Sequence, residues 1–402
     1  MDFSIPTETT ALLAKAQAFI EDELIPLEPQ LQGHDWSAIE PVLQEKRLNI
    51  KAMGLWAPNL PQEIGGMGLS LLDLGLLSEV MGQTPIGHYV FGAQAPDAGN
   101  MELLLEFGSE AQKQTYLIPL AAGETRSCFA MTDKNTAGSN PTLLQATAVR
   151  DGDEYIINGH KWFTSCFDGS AFTIVMAVTN PEADKHSRAS MIIVPADTPG
   201  LNFVRNVPVM GHAGNGYFSH AEIKFEDCRV PIENRLGPEG QGFLLAQKRL
   251  GPGRIHHCMR WLGICKRAQQ LLCQHALTRE VAEGVKLADQ QTVQTWIADN
   301  AAEIEAARTM VLKAAWTGDT HGWKAARTEI AMIKYLVANT LQRVLDRALQ
   351  AHGALGMTDD TIIAWYYREE RAARIYDGPD EVHRRSVARQ ILGNVAAQQS
   401  RA

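Results

Sequence analysis

From Thr9 to about Gly123, apolar residues recur at helical spacing between breaks of Gly and Pro, which predicts a set of helices. Leu103, Leu104 and Leu105, then Leu117 and Ile118, fall on apolar faces, and Gly108 and Gly123 are placed as helix stops. Near Thr125 the pattern changes, and to about Gly237 it is strand-like. Residues 149–157 predict two strands around the turn Asp151-Gly152, and Asn158-Gly159 predicts a second turn of the same kind. Phe172 to Val178 and Met191 to Val194, rich in β-branched residues, predict further strands. Pro195, Pro199, Pro208 and Pro231 argue against long helices here. After Gly242 the period returns to 3.6. Val293, Ile297, Ile304, Val311 and Ala315 lie on one helical face; Ile330, Ile333, Val337, Leu341, Val344 and Ala348 form another. The pattern predicts an α+β chain of three domains: helices over 1–123, a β domain over 124–237 and a helical bundle over 238–402.

Composition narrows the function. The 402 residues, 45% hydrophobic and 21% charged, suffice for a large core and exceed one simple domain. A net charge of −9 without any run of Lys or Arg argues against nucleic acid as a partner. Six cysteines without a C-x-x-C pair fit free thiols better than a disulfide framework or a zinc site, and no metal is expected. Met1-Asp2-Phe3-Ser4 has neither the basic-then-apolar order of a secretory signal nor Arg-rich transit character. The longest apolar stretch, around Ala171 to Val178, is too short to span a bilayer. The expectation is a soluble, cytoplasmic protein.

Familiar site motifs are missing. No G-x-G-x-x-G follows a strand, Gly-Lys never occurs, and neither H-E-x-x-H nor G-x-S-x-G is present. His256 and His257 are adjacent, so on a helix they point about 100° apart and do not share one metal. Rossmann, P-loop, hydrolase and metalloenzyme readings lose ground.

Three segments carry candidate chemistry. In the first, Asp377 stands directly before Gly378-Pro379, between stretches that read as helix. Gly378 permits close backbone approach, and Pro379 suits the first turn of a new helix. Asp377 is therefore expected at a helix break facing a cavity; a plain helix boundary with solvated acids fits the same residues. In the second, the strand Phe129-Ala130-Met131-Thr132-Asp133 runs into Lys134-Asn135-Thr136-Ala137-Gly138-Ser139-Asn140, and Asn158-Gly159-His160-Lys161-Trp162-Phe163-Thr164-Ser165 follows downstream. Small polar residues there offer backbone N–H groups and hydroxyls, and an aromatic beside a hydroxyl can pack on a flat ring and bond its edge. An ordinary β domain with Trp162 or Phe163 in its core fits too. In the third, Gln350-Ala351-His352-Gly353-Ala354-Leu355-Gly356-Met357 ends a long helix with two close glycines.

In this order, the three segments resemble the acyl-CoA dehydrogenase family over essentially the whole chain. Phe107-Gly108-Ser109-Glu110, Tyr116-Leu117 and Gly123-Glu124 add to the match. The resemblance implies that chain's fold: a helical N-terminal domain, a central β domain and a C-terminal four-helix bundle. It implies FAD-dependent α,β-dehydrogenation of an acyl-CoA thioester to the trans-2-enoyl-CoA. Asp377 then takes the place of the catalytic carboxylate, usually Glu. Asp before Gly-Pro is similar to the branch that in animals is fused to a kinase-like domain. Phe129, Met131, Thr132, Gly138 and Ser139 match the strand and loop around the flavin edge and the thioester end, with Ser139 also toward substrate. The segment 158–165 is similar to the family's N-G-x-K-x-W-I-T. Phe163 replaces the Trp that packs on the flavin, Ser165 replaces the Thr that bonds N5, and Thr164 lies between them. The loop departs from the family at Asp133-Lys134, where Glu-Pro is usual, and at Asn140, where Asp is usual.

Gln350, Ala351, His352, Gly353 and Ala354 match the segment that contacts FAD of a neighbouring subunit, with Ala354 in place of a Gly. Arg279, and less closely Gln291, match residues that reach that FAD, a role that suits a guanidinium. The family's Phe-Gly after this Arg appears as Glu283-Gly284, one residue late. Pro379, Asp380 and Glu381 match the contacts to the adenosine half, and Gly378 the substrate side. Some members carry their base one residue before a matching Arg; here Gly253 precedes Arg254, which leaves Asp377 as the candidate base. Arg254 fits a place near substrate or an ion pair at a helix start. The family polarises the thioester oxygen with a ribityl hydroxyl and the N–H of the base residue. Asp377, at about pKa 3.9 when unperturbed, is expected to rise on burial. The resemblance further implies a homodimer or homotetramer, with electron-transfer flavoprotein as acceptor. An oxidase of the same fold, nitroalkane oxidase-like, and a DNA-protective flavin-binding relative stand as alternatives; the charge of −9 opposes the second.

Overall fold

The structure, a computed structural model, describes residues 4–32 and 35–400, without the side chain of Pro252. Met1, Asp2 and Phe3, on which the reading of the leader rests, lie outside the described residues. Among the described residues the chain folds into two compact units: one takes in 35–68 and 89–250, the other 4–32, 69–88 and 251–400.

The first unit is built on an eight-stranded sheet: β1 (Ser127–Ala130), β2 (Thr147–Asp151), β3 (Glu154–Ser165), β4 (Phe172–Val178), β5 (Ala189–Pro195), β6 (Leu201–Asn206), β7 (His220–Pro231) and β8 (Arg235–Leu236). The order is β6-β7-β3-β2-β4-β5-β8, and β1 pairs in parallel with β4. Asp151-Gly152 is the tight β2–β3 turn, with Gly152 at φ 60°. Asn158-Gly159 corrects the sequence reading: β3 runs straight through it, with only a register shift against β7. Gly159 is needed for closeness rather than turning, because a β-carbon there would lie 2.5 Å from that of Ala146. Tyr155, Ile157, Val175, Ile192, Val194, Ile223 and Phe225 form the buried core. The helix Asp97–Phe107 is tied to β1 by Asp97 Oδ1, which accepts from the N–H and hydroxyl of Ser127 at 2.7 and 2.6 Å.

The second unit is helical. Its bundle contains Gln291–His321, Trp323–His352, Asp380–Gln399 and the helix Gly242–Thr278, whose residues from 251 onward belong here. Ile333, Val337, Leu341, Val344 and Ala348 are fully buried, so the 3.6-residue period is the one the core uses. Glu79, on the helix Leu71–Met81, is 4% exposed and draws Arg308 Nε to 2.9 Å and Lys266 Nζ to 2.5 Å. Residues 251–253 do not begin a helix. They lie inside Gly242–Thr278, so Arg254 projects from mid-helix and not from a helix start. Among the described residues no helix is long and apolar enough to cross a membrane, and no cluster of His, Cys, Asp or Glu suits a metal ion.

Candidate functional site

In the helical unit the chain leaves a 3-10 turn at Arg374 and re-enters helix at Asp380, with Pro379 as N-cap. Between them Asp377 has φ 54° and Gly378 φ 100°. A non-glycine residue in the left-handed region is held there by its surroundings. Side chains from three helices donate to the carbonyls of this turn. Arg254 Nε donates to the Asp377 carbonyl at 3.1 Å, and His383 Nε2 does so at 3.1 Å. Lys334, fully buried, donates Nζ to the carbonyls of Ala373 at 2.7 Å and Gly378 at 3.1 Å. Burial, with Arg254 adding, pushes the His383 imidazole down to about 4, so it is neutral at pH 7. Burial also lowers Arg254 and Lys334 from their usual values, and the charge of Asp377 works against both shifts.

The Asp377 carboxyl is 18% exposed, and its Oδ2 lies 3.3 Å from His257 Nε2. Arg254 and His257 are three residues apart on one helix, and Trp261 follows four later, so all three share a face. At position 253 a β-carbon would meet nothing within 4 Å. Pro379 and Glu381 border the turn, Glu381 exposed. Asp380 turns inward, 1% exposed, with Oδ2 accepting from Arg374 Nε and Asn339 Nδ2, each at 2.8 Å.

The β unit builds a second cluster. Two residues of β3, Trp162 and Phe163, stand opposite one of β7, Glu222, because the register jumps between Lys161 and Thr164. This is a β-bulge, and it re-aims side chains. Phe163, at φ 49°, presents its ring 44% exposed, so it is not a core residue. Thr164 is buried. The Ser165 hydroxyl is 2.8 Å from His220 Nδ1. Met131, Thr132, Thr136, Ala137 and Gly138 line one concavity of the adjoining loop; Ser139 is exposed beside it. Phe129, half-buried, lies under the Arg249 guanidinium at 4.3 Å.

Asp133 and Lys161 pin this loop to the sheet. Their ion pair is 2.6 Å, and Lys161 Nζ also donates to the carbonyls of Met131 and Met176 at 2.9 and 2.8 Å. Burial lowers Lys161 to about 8 while Asp133 opposes the shift. Glu222 is held down at about 2 by hydrogen bonds from Lys134, Arg205 and His160. An exposed aromatic ring, a neighbouring hydroxyl and a loop of small residues fit a flat ring system with a polar edge.

At one end of the bundle, His275 and His352 stack at 4.2 Å and bring two helix ends together. Arg279 stands just past one end, and Gln350, Ala351, Gly353 and Ala354 at the other; Gly353 has φ 59° and caps its helix. Gln291 opens the next helix. Arg279, Gln291, Gln350, Gly353 and Ala354 are exposed. Glu283-Gly284 is the turn of a hairpin, Glu280–Ala282 with Val285–Lys286, where Gly284 takes φ 72°. Sequence reasoning missed His257, Lys334, His383 and His220. Their only signal was the adjacent His256-His257 on a helical face beside Arg254.

Comparison with known proteins covers nearly the whole chain. Models of the acyl-CoA dehydrogenase N-terminal, middle and C-terminal domains match residues 6–124, 128–228 and 240–392. A protein of Mycobacterium tuberculosis named "Probable acyl-CoA dehydrogenase FadE2" is 42% identical over 98% of this chain and 97% of its own length. "Acyl-CoA dehydrogenase family member 10" of Mus musculus is 42% identical over 95% of this chain, which spans only 36% of that protein. A solved structure from Mycobacterium abscessus, described as a "putative acyl-CoA dehydrogenase", superposes with a TM-score of 0.94 at 37% identity, covering 98% of this chain and all of that one.

Proposed function

The chain belongs to the acyl-CoA dehydrogenase family, and from that premise we propose that it removes an α-proton and a β-hydride from an acyl-CoA thioester, giving the trans-2-enoyl-CoA, with Asp377 as the base. The observation that carries this reading is the left-handed Asp377-Gly378 turn, whose carbonyls receive Arg254, His383 and Lys334 while the carboxyl faces His257.

The cofactor is FAD, which supplies, when bound, acceptance of the hydride. Phe163, Thr164 and Ser165 would hold its ring system, with Phe129, Met131, Thr132, Gly138 and Ser139 at its polar edge. Asp377 as carboxylate takes the α-proton, a step that general-base catalysis accelerates by roughly 10²–10⁴-fold. Arg254 and His383 fix the backbone of the base from two sides, so its main chain is held in place before substrate arrives. The N–H of Asp377 would bond a thioester oxygen as it gains charge. The exposed Arg279, Gln291, Gln350, Gly353 and Ala354, with Ala351 between them and His352 buried against His275, serve a second copy of the chain, and the protein acts as a homodimer or homotetramer. Pro379 and Glu381 would meet the adenosine half, as would the backbone of Asp380, whose carboxyl is taken up by Arg374 and Asn339; electron-transfer flavoprotein takes the electrons onward.

Anaerobic titration of the yellow holoenzyme with saturated acyl-CoAs of graded chain length tests the reading. Bleaching of the flavin band in the wild type, lost in Asp377→Asn with FAD retained, is the expected result. Equal bleaching in both would show that the base lies elsewhere.

A further inference from the structure

Arg254 and His257 approach the same residue from the same helix face, one at its backbone and one at its side chain. Arg254 Nε reaches the Asp377 carbonyl at 3.1 Å, and His257 Nε2 lies 3.3 Å from Oδ2 of the carboxyl. His257 is itself held. Its ring stacks on Trp261, centroids 6.0 Å apart and 19° from parallel, and meets Tyr376 edge-on at 5.2 Å. Trp261 is fully buried. The Tyr376 hydroxyl accepts from Arg260 Nη2 at 2.8 Å and Trp261 Nε1 at 3.0 Å, which fixes the residue directly before the base. An imidazole clamped on two faces has little rotamer freedom left to lose when it bonds a neighbour.

We propose that His257 is a positioning residue for Asp377: its Nε2–H donates to Oδ2, leaving Oδ1 as the oxygen that takes the α-proton. This rests on Asp377 being the base. A carboxylate has two chemically equal oxygens and a free χ2; in the left-handed turn the backbone is pinned, but χ2 is not. A donor on one oxygen removes that freedom. The donor also requires the Nε2–H tautomer, since a carboxylate only accepts.

The test uses holoenzyme of the wild type, His257→Phe and His257→Gln. Phe keeps the ring packing on Trp261 and Tyr376 and removes the donor; Gln restores an N–H at similar reach. In anaerobic stopped flow, His257→Phe is expected to slow flavin reduction by about 10- to 100-fold, the worth of one hydrogen bond to a charged group. The acyl-CoA concentration giving half the maximal rate should stay within about two-fold, and His257→Gln should recover most of the rate. A wild-type rate in His257→Phe, or a rate in His257→Gln as low as in Phe, overturns the proposal. A second readout needs no substrate. ¹⁵N spectra of the His257 imidazole should show the Nε2–H tautomer in the wild type and its loss of dominance in Asp377→Asn; the same tautomer balance in both also overturns it. If no acyl-CoA bleaches the wild type, the reaction assigned above fails, while the imidazole spectra still decide whether His257 and Asp377 are bonded.

Discussion

The imidazole of His383 stands where a β-carbon on Gly378 would go: that carbon would lie 2.8 Å from Nε2, the same nitrogen that donates to the Asp377 carbonyl. Gly378 also sits at φ 100°, which side chains rarely adopt. Gly378→Ala therefore both strains the backbone and displaces a tie on Asp377. It is expected to cost about 1–3 kcal/mol and to slow flavin reduction. Thermal melts and anaerobic stopped flow on one preparation read both; an unchanged melt would show that the turn relaxes freely.

Asp377→Asn removes the proton acceptor and keeps the shape. Flavin reduction by acyl-CoA should fall by roughly 10²–10⁴-fold with FAD content unchanged. Asp377→Glu should be milder, because it lengthens the same acid by one methylene. Gly253 offers a second place for the acid, since nothing lies within 4 Å of a β-carbon there. The double variant Asp377→Gly with Gly253→Glu is expected to regain part of the lost rate, measured in the same stopped-flow assay.

Phe163 is 44% exposed on a bulge, so truncating it removes little core. Phe163→Ala should shift the apoprotein melt by no more than a surface change, within about 0.5 kcal/mol. FAD should be retained more weakly, read by ultrafiltration and the absorbance of the flow-through. Equal retention would take Phe163 out of the cofactor site.

His383 links stability to pH. It is 5% exposed and its folded pKa, about 4, lies below the ordinary 6.5. The unfolded chain binds that proton more readily, so the stabilisation is complete above pH 6.5 and is lost as pH falls through 4. Its upper bound is about 3 kcal/mol. His383→Asn keeps an N–H donor without titrating. Its melting temperature should fall less steeply between pH 6.5 and 4.5 than that of the wild type, measured by scanning fluorimetry.

Arg279 is exposed in the single chain, so its loss costs the isolated bundle little. Arg279→Ala should leave the helical circular dichroism intact and reduce bound FAD in a protein that light scattering finds to be a dimer or tetramer. A monomer that keeps its FAD would contradict the role given to this end of the bundle.

Local rules carried the elements and singled out Asp377. The 3.6-residue period at Ile333, Val337 and Leu341 was legible because burial on a helix repeats with its turn. Asp151-Gly152 was legible because a tight turn needs φ above zero. Asp377 stood out because a carboxylate before Gly-Pro is a helix break in any context. The same rules misplaced Asn158-Gly159, since a glycine needed for contact with Ala146, thirteen residues earlier in the chain, looks like one needed to turn. They also left open a helix start for Arg254, beside a place near substrate, although the helix continues through 251–253. Tertiary structure alone decided which groups surround Asp377. His257 and Arg254 come from 120 residues or more upstream, and Lys334 from 44 residues before Gly378, whose carbonyl it meets. No local pattern encodes such distances, because side chains from separate helices meet only when a shared apolar core packs those helices together. The bulge that turns Phe163 outward has the same origin: it is a mismatch of register between β3 and β7, a property of two strands that neither sequence holds alone.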